Sequence, residues 1–138
     1  MHYLEYYMSS KTAPLKIPCN EGIEAVPKLL QRLTMLGIPC KIVDTCQMSE
    51  KERGEIYNSV IVVSVKDSFR RREIFRGKHG KSNFFGREVP ALVVYDDENK
   101  RKIIDVLPKK MGDRIITIKQ SLEKFIEEAM KGVGVNAE

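Results

Sequence analysis

The segment PALVVYDDENKRKIIDVL, residues 90–107, carries the clearest fold signal in this chain. Two apolar runs rich in β-branched residues, at 90–95 and 102–107, are separated by the polar turn residues 96–99. A connection this short joins strands that are antiparallel neighbours. We therefore predict a β-hairpin over residues 90–107.

The region before the hairpin has the pattern of a strand, a helix and a second strand. Residues 3–8 and 40–44 have strand composition, and between them apolar residues recur at three- and four-residue intervals over 23–36. We expect Asn20 to cap this helix, and Pro27 to make it either begin late or kink. Strand, helix and strand in this order predict a right-handed parallel crossover.

Two capping boxes mark further helices. Ser49 with Glu52 opens one after the second strand, and Thr117 with Gln120 opens a helix after the hairpin. Residues 60–65 fit either a strand or a continuation of the helical spacing. The whole order predicts an α/β fold in which a mixed sheet carries helices on both faces.

Length and composition indicate one globular domain. The chain has 138 residues, of which 42% are hydrophobic and 31% charged, a composition that excludes disordered and collagen-like classes. We expect a single domain at 1–131 and a flexible tail at 132–138. Residues 1–10 do not resemble a signal peptide, and the longest apolar run, at 60–65, is far shorter than the ~20 residues of a membrane helix. A cytoplasmic protein without a membrane partner is therefore expected.

Three local features sharpen the prediction of the fold. The sequence Cys19-Asn20-Glu21-Gly22 precedes the first helix, Pro27 lies eight residues after Cys19, and Pro90 stands directly before the hairpin. In this order they resemble the thioredoxin-like superfamily, which has C-x-x-C before its first core helix and a cis-proline before its terminal hairpin. The resemblance covers the chain from about residue 3 to 131. It implies a three-layer sandwich with a cis bond at Pro90, and Val89 and Pro90 as the surface on which a substrate lies.

The chain departs from the family pattern in three places. Gly22 replaces the second cysteine of the motif, and Pro18 stands where thioredoxins usually have tryptophan. An insertion at about 59–87 precedes Pro90. The motif is therefore C-x-x-G, with one cysteine.

The three cysteines have different predicted roles. A thiol at a helix N-terminus is favoured as thiolate, and the resemblance implies that Cys19 is the nucleophile. Cys46 follows the second strand and falls at the same sheet edge as Cys19, so it is a candidate resolving thiol, whereas Cys40 begins that strand and falls at the opposite edge, as a core thiol. The alternative is that Cys19 packs as a small apolar residue and Cys46 is a plain loop residue.

The resemblance implies a protein disulfide or a small thiol as substrate, with thiol-disulfide oxidoreductase or thiol peroxidase-like activity. With only two histidines and no C-x-x-C pair, we expect no metal site and no cofactor.

The net charge of +5 is concentrated in the insertion. Between residues 70 and 87, Glu73 is opposed by seven basic residues, and the four phenylalanines at 69, 75, 84 and 85 lie in or beside this stretch. The seven are Arg70, Arg71, Arg72, Arg76, Lys78, Lys81 and Arg87. Basic and aromatic residues together can bind phosphates and stack on bases, which suggests single-stranded nucleic acid or an acidic protein as partner. The alternative is a solvated insertion that its phenylalanines attach to the core.

Two functions thus follow from the sequence. One is a redox protein that acts through Cys19. The other is a non-catalytic module that binds its partner through the basic insertion.

Overall fold

A computed structural model describes residues 2–10, 13, 14, 16, 18–49, 51, 52, 90–100, 102–111 and 113–132. The insertion, the ambiguous residues 60–65 and the body of the helix predicted after Ser49 fall at 53–89, outside the described residues. Most of the predicted tail lies outside them as well.

Four strands form a mixed sheet in the order β2-β1-β3-β4. They are β1 (Tyr3–Met8), β2 (Cys40–Asp44), β3 (Ala91–Tyr95) and β4 (Ile103–Leu107). β1 is parallel to β2 and antiparallel to β3, and β3 is antiparallel to β4. The predicted parallel crossover and the predicted hairpin are therefore both confirmed.

Two helices pack against each other and against one face of this sheet. Helix α1 (Val26–Met35) and helix α2 (Ile118–Gly132) contribute to a core with alternate residues of β1, β3 and β4. Its buried members are Leu4, Tyr6, Val26, Leu30, Leu33, Leu92, Val94, Leu107, Ile118, Leu122 and Ile126. The predicted mixed α/β class is confirmed. Among the described residues, α1 and α2 cover one face of the sheet, so the prediction of helices on both faces stays a prediction. No helix in the described part of the chain is long and apolar enough to cross a bilayer.

Both predicted capping boxes form. Ser49 N–H donates to Glu52 Oε1 at 2.9 Å and Glu52 N–H donates to Ser49 Oγ at 3.1 Å. Thr117 and Gln120 exchange the same two bonds, at 3.0 and 3.1 Å, directly before α2. Each box satisfies N–H groups that the first turn of a helix leaves unpaired.

The start of α1 differs from the prediction. The helix begins at Val26 with Ala25 in the capping position, and Asn20 instead ends a separate 3₁₀ turn, Pro18–Asn20. The prediction that Asn20 caps this helix is therefore wrong, and of the two alternatives for Pro27 the late start is correct. Proline has no N–H to donate and fits only the first turn of a helix, which sets the boundary.

A second, smaller hairpin follows β4 and was not predicted. Strands β5 (Lys109–Met111) and β6 (Arg114–Ile116) pair antiparallel, after a cis peptide bond between Leu107 and Pro108. The resemblance predicts a cis bond between Val89 and Pro90. Because Val89 lies outside the described residues, this stays a prediction. Pro90 itself is buried directly before β3.

The sheet face away from α1 and α2 contains a buried carboxylate. Glu5 is 3% exposed, accepts hydrogen bonds from the hydroxyls of Tyr7 and Tyr3, and lies 3.3 Å from Lys100 Nζ. Burial raises the pKa of Glu5, but the two hydroxyls and the Lys100 ammonium lower it by more, so the pKa is below its usual value. Burial also raises the pKa of Tyr95, which stacks on Tyr3, to about 12. Glu5 is therefore ionised and fully partnered in the folded protein.

We predict that Glu5→Gln lowers the free energy of unfolding by about 1–3 kcal/mol at neutral pH. The neutral amide does not form an ion pair with Lys100, and its NH₂ group cannot accept a hydrogen bond from a tyrosine hydroxyl. A depressed folded pKa gives stability that is complete above the unfolded value of ~4.3 and is lost as the pH falls through the folded value. Urea unfolding at a series of pH values should thus show a smaller difference between the two proteins in acid than at neutral pH.

Glu127→Gln is the matched control, because Glu127 pairs with Lys131 at 3.8 Å on the exposed surface of α2. Exposed pairs of this kind contribute about 0–1 kcal/mol. If Glu5→Gln costs no more than this control, the ionised cluster is not a stabilising feature.

Candidate thiol site at the carboxyl edge of the sheet

The strand directions bring several loops to one edge of the sheet. β1 and β2 run in parallel, with Met8 opposite Asp44 at their carboxyl ends, and β4 runs in the same direction. β3 runs the other way, so that Pro90, which precedes it, lies at this edge as well. We call this the carboxyl edge. Sites in open α/β sheets form outside the carboxyl ends of parallel strands.

Cys46 lies at the carboxyl edge, as the sequence predicted. It is exposed in the 3₁₀ turn Thr45–Gln47, and its Sγ lies 3.0 Å from Ser9 Oγ. Asp44 Oδ1 accepts the N–H groups of Cys46 and Ser10, both at 3.1 Å. These bonds tie the chain after β1 to the chain after β2.

Asp44 is the acidic group of this turn. The hydrogen bonds from Ser10, and then those from Cys46, hold the pKa of the Asp44 carboxyl below its usual value. The carboxylate therefore remains ionised beside Cys46 at neutral pH. Sequence reasoning missed both Asp44 and Ser9, because neither belongs to a motif and only the pairing of β1 with β2 brings them together.

Cys19 does not lie at the start of an α-helix, contrary to the sequence prediction. Its backbone belongs to the 3₁₀ turn Pro18–Asn20. A second 3₁₀ turn, Ile23–Ala25, follows and leads directly into α1 at Val26. The Pro18–Asn20 turn lies against β6, and the next segment, through Gly22, lies against the first turn of α2. The Cys19 turn thus contacts an element that follows β4.

Cys40 lies at the opposite end of β2 from Cys46, as predicted. Its thiol is half-buried against the core and donates to the carbonyl of Ile38 at 3.4 Å. Burial raises the pKa of the Cys40 thiol, which disfavours the thiolate. Of the two cysteines at positions 40 and 46, only Cys46 is therefore exposed at the carboxyl edge.

Other predicted site residues are only partly described. Pro90 is buried at the carboxyl edge, next to the end of β1, while Val89 and all seven basic residues of the insertion lie outside the described residues. Within the described ranges, no group of three or more His, Cys, Asp or Glu side chains is placed to hold a metal ion.

Gly22, where the thioredoxin pattern has a second cysteine, is closely packed. Its backbone has φ +76°, a left-handed conformation that favours glycine. A Cβ atom here would overlap Cδ of Lys119 and lie 3.3 Å from both Cβ and Cγ of that side chain. The stem of Lys119 thus occupies the space that a cysteine at residue 22 would need.

We predict that Gly22→Ala destabilises the protein by about 1–3 kcal/mol. About 1–2 kcal/mol comes from the left-handed backbone, and the smaller remainder from shifting the half-exposed Lys119 side chain. Chemical denaturation measures the loss.

Two further glycines distinguish the cost of the left-handed backbone from the cost of shifting Lys119. Gly37 has φ +91° with open space around it, so Gly37→Ala should show the backbone cost alone. Gly132 has neither constraint, and Gly132→Ala should cause no loss. A Gly22→Ala variant that is no less stable than Gly37→Ala would contradict the close packing on Lys119.

Cys46 and Pro90 thus lie at the carboxyl edge because β2 and β3 both pair with β1, and the Cys19 turn contacts β6. Comparison of the chain with protein-family models, with curated proteins and with solved structures finds no match.

Proposed function

We propose that this protein is a thioredoxin-like thiol-disulfide redox protein that acts through one principal cysteine, Cys19, and that Cys46 or an external thiol resolves the intermediate. A parallel crossover, an antiparallel hairpin and a terminal helix follow one another as the resemblance implies. The observation that carries the proposal is the carboxyl edge. This edge has the exposed thiol of Cys46 and the buried Pro90, and the turn that contains Cys19 contacts β6, which follows β4.

The proposed reaction reduces a substrate disulfide. The Cys19 thiolate attacks one substrate sulfur, forming a mixed disulfide and breaking the substrate S–S bond, and the leaving thiolate takes a proton from water. Cys46, as thiolate, then attacks the Cys19 sulfur and releases the second substrate thiol. The substrate gains two electrons and the protein holds a Cys19–Cys46 disulfide, which an external dithiol reduces in the next cycle.

Gly22 is consistent with a resolving thiol outside the motif. A side chain at the fourth motif position would require the Lys119 side chain to shift and would take a left-handed backbone, both of which disfavour a second thiol there. The exposed thiol of Cys46 lies in the 3₁₀ turn after β2, and hydrogen bonds of Ser9 and Asp44 connect this turn to the residues after β1.

The test of this proposal is the reactivity of Cys19 as a function of pH. Alkylation with iodoacetamide, followed by mass spectrometry of the Cys19 peptide, should give a thiol pKa at least ~1 unit below the ~8.5 of a free cysteine. Cys40 is the internal control, because its burial predicts slower alkylation at the same pH. Mild oxidation should yield a Cys19–Cys46 disulfide.

Either of two results would contradict the redox function. One is a Cys19 pKa at or above that of a free thiol. The other is oxidised protein that contains a Cys19–Cys40 disulfide or none. Cys46→Ser tests the resolving role separately, since it should trap the mixed disulfide with a model substrate.

A second candidate function rests on the charge distribution. Because residues 70–87 have a net charge of +6, the rest of the chain sums to −1. Charge concentrated in this way, with phenylalanines interspersed, supports binding of single-stranded nucleic acid.

For this candidate, replacing Arg70, Arg71 and Arg72 by Gln should weaken binding to a single-stranded RNA. The slope of log K against log salt should fall by ~2, about 0.7 for each lost phosphate contact. The matched control replaces Lys41, Lys124 and Lys131, which are exposed on the described domain. No binding at low salt, or an equal loss in the control, would exclude nucleic acid as the partner of the insertion.

A further inference from the structure

A carboxylate and a hydroxyl contact the exposed Cys46. Asp44 Oδ1 accepts the Cys46 N–H at 3.1 Å, and Ser9 Oγ lies 3.0 Å from Cys46 Sγ. The same Asp44 oxygen accepts the N–H of Ser10, also at 3.1 Å. Asp44 therefore fixes the chain on both sides of the contact, and Cys46 cannot move away from the carboxylate without breaking a hydrogen bond.

The thiol of Cys46 is itself hydrogen-bonded to this carboxylate. Hydrogen bonds from Ser10, and more weakly one from the Cys46 thiol, hold the pKa of the Asp44 carboxyl below its usual value. An ionised carboxylate can only accept, so the S–H group is the donor, and the bond is lost when the thiol ionises. Coupling between two proton-binding sites is reciprocal. A thiol proton that favours ionised Asp44 is therefore itself favoured by ionised Asp44.

Loss of the thiol proton would also place two negative charges side by side, and like charges disfavour ionisation. The Ser9 hydroxyl is neutral, so it does not cancel the charge of Asp44. The other charged side chains in the described parts of 9–16 and 44–52 are Lys16, Lys51 and Glu52, all of them exposed. The Glu52 carboxylate accepts the N–H of Ser49 at 2.9 Å in its capping box.

We propose that Asp44 is a positioning residue that holds Cys46 as a neutral thiol in the free protein. Because the thiolate is the nucleophilic form of cysteine, Cys46 then reacts slowly although it is exposed. This inference deepens the proposed redox function and rests on it for one consequence. Cys46 does not compete with Cys19 for the first attack on the substrate disulfide.

The experiment measures alkylation of Cys46 by iodoacetamide against pH, in a Cys19→Ser/Cys40→Ser background of the full chain. Iodoacetamide is uncharged, so attraction of the reagent does not contribute. Asp44→Asn keeps Oδ1 as an acceptor for both N–H groups and removes the negative charge. It should move the midpoint of the pH profile down by about 0.5 unit, which makes alkylation at pH 7 about threefold faster.

Two variants control for other effects of the substitution. Glu52→Gln removes a carboxylate six residues after Cys46 and keeps the capping box, because glutamine serves there as well as glutamate. It should leave the midpoint unchanged. Ser9→Ala removes the contact at 3.0 Å without changing any charge, and it should not lower the midpoint.

Salt provides a measurement that needs no substitution at Asp44. At ~1 M salt, where the Debye length falls to ~3 Å, the repulsion between the two exposed groups is screened. The midpoint of the background protein should therefore fall as salt is raised, whereas that of Asp44→Asn should change less.

The outcomes separate this inference from the function that it deepens. A midpoint that Asp44→Asn does not lower, or that Glu52→Gln lowers equally, overturns the role of Asp44 and leaves the redox function of Cys19 standing. Faster alkylation at an unchanged midpoint also overturns it, since better access of the reagent would then be the cause. A Cys19 pKa at or above that of a free thiol contradicts the redox function and leaves the Cys46 result intact. A lower midpoint in Asp44→Asn alone, with the expected salt dependence, supports the proposal.

Discussion

Pairing of β1 on both of its sides is the constraint on which the rest of the structure depends. Each residue from Leu4 to Tyr7 is opposite a residue of β2 on one side and of β3 on the other, and all four are buried. A one-residue slip of such a strand would exchange its two buried faces. The register is therefore fixed, and it brings the ends of the neighbouring strands to a common edge. The candidate site is a consequence of this alignment, because Cys46 and Pro90 lie on different neighbours of β1.

Glu5 extends this constraint to the hairpin of β3 and β4. Its carboxylate lies within β1, but its cationic partner, Lys100, comes from the turn between the other two strands. Lys100 adopts a left-handed backbone with φ 59°, and its ammonium also lies 5.4 Å from the centre of the Tyr95 ring. A buried carboxylate is costly unless it is paired and hydrogen-bonded. The turn is thus held to the central strand by the need to keep Glu5 partnered.

The features that sequence reasoning predicted are those encoded by neighbouring residues. The spacing of apolar residues gave the four strands of the main sheet, and two S/T-x-x-E/Q patterns gave the capping boxes, because these signals need no information from distant parts of the chain. The β5–β6 hairpin was missed since its strands have three residues each, too few for a periodic signal. The late start of α1 could be stated only as one of two alternatives for Pro27. The contact between Gly22 and Lys119 could not be predicted at all, because 97 positions separate the two residues and neither has an unusual local pattern.

That contact changes the meaning of the incomplete motif. Taken as a sequence pattern, C-x-x-G resembles a dithiol motif with glycine in place of the second cysteine. In the folded chain, the glycine is the residue that lets α2 approach, and its backbone conformation would itself disfavour a cysteine. A cysteine at residue 22 would therefore have to shift the Lys119 side chain and adopt a left-handed backbone. A second thiol for the proposed chemistry then has to come from another element, and among the described cysteines the exposed one at the carboxyl edge is Cys46.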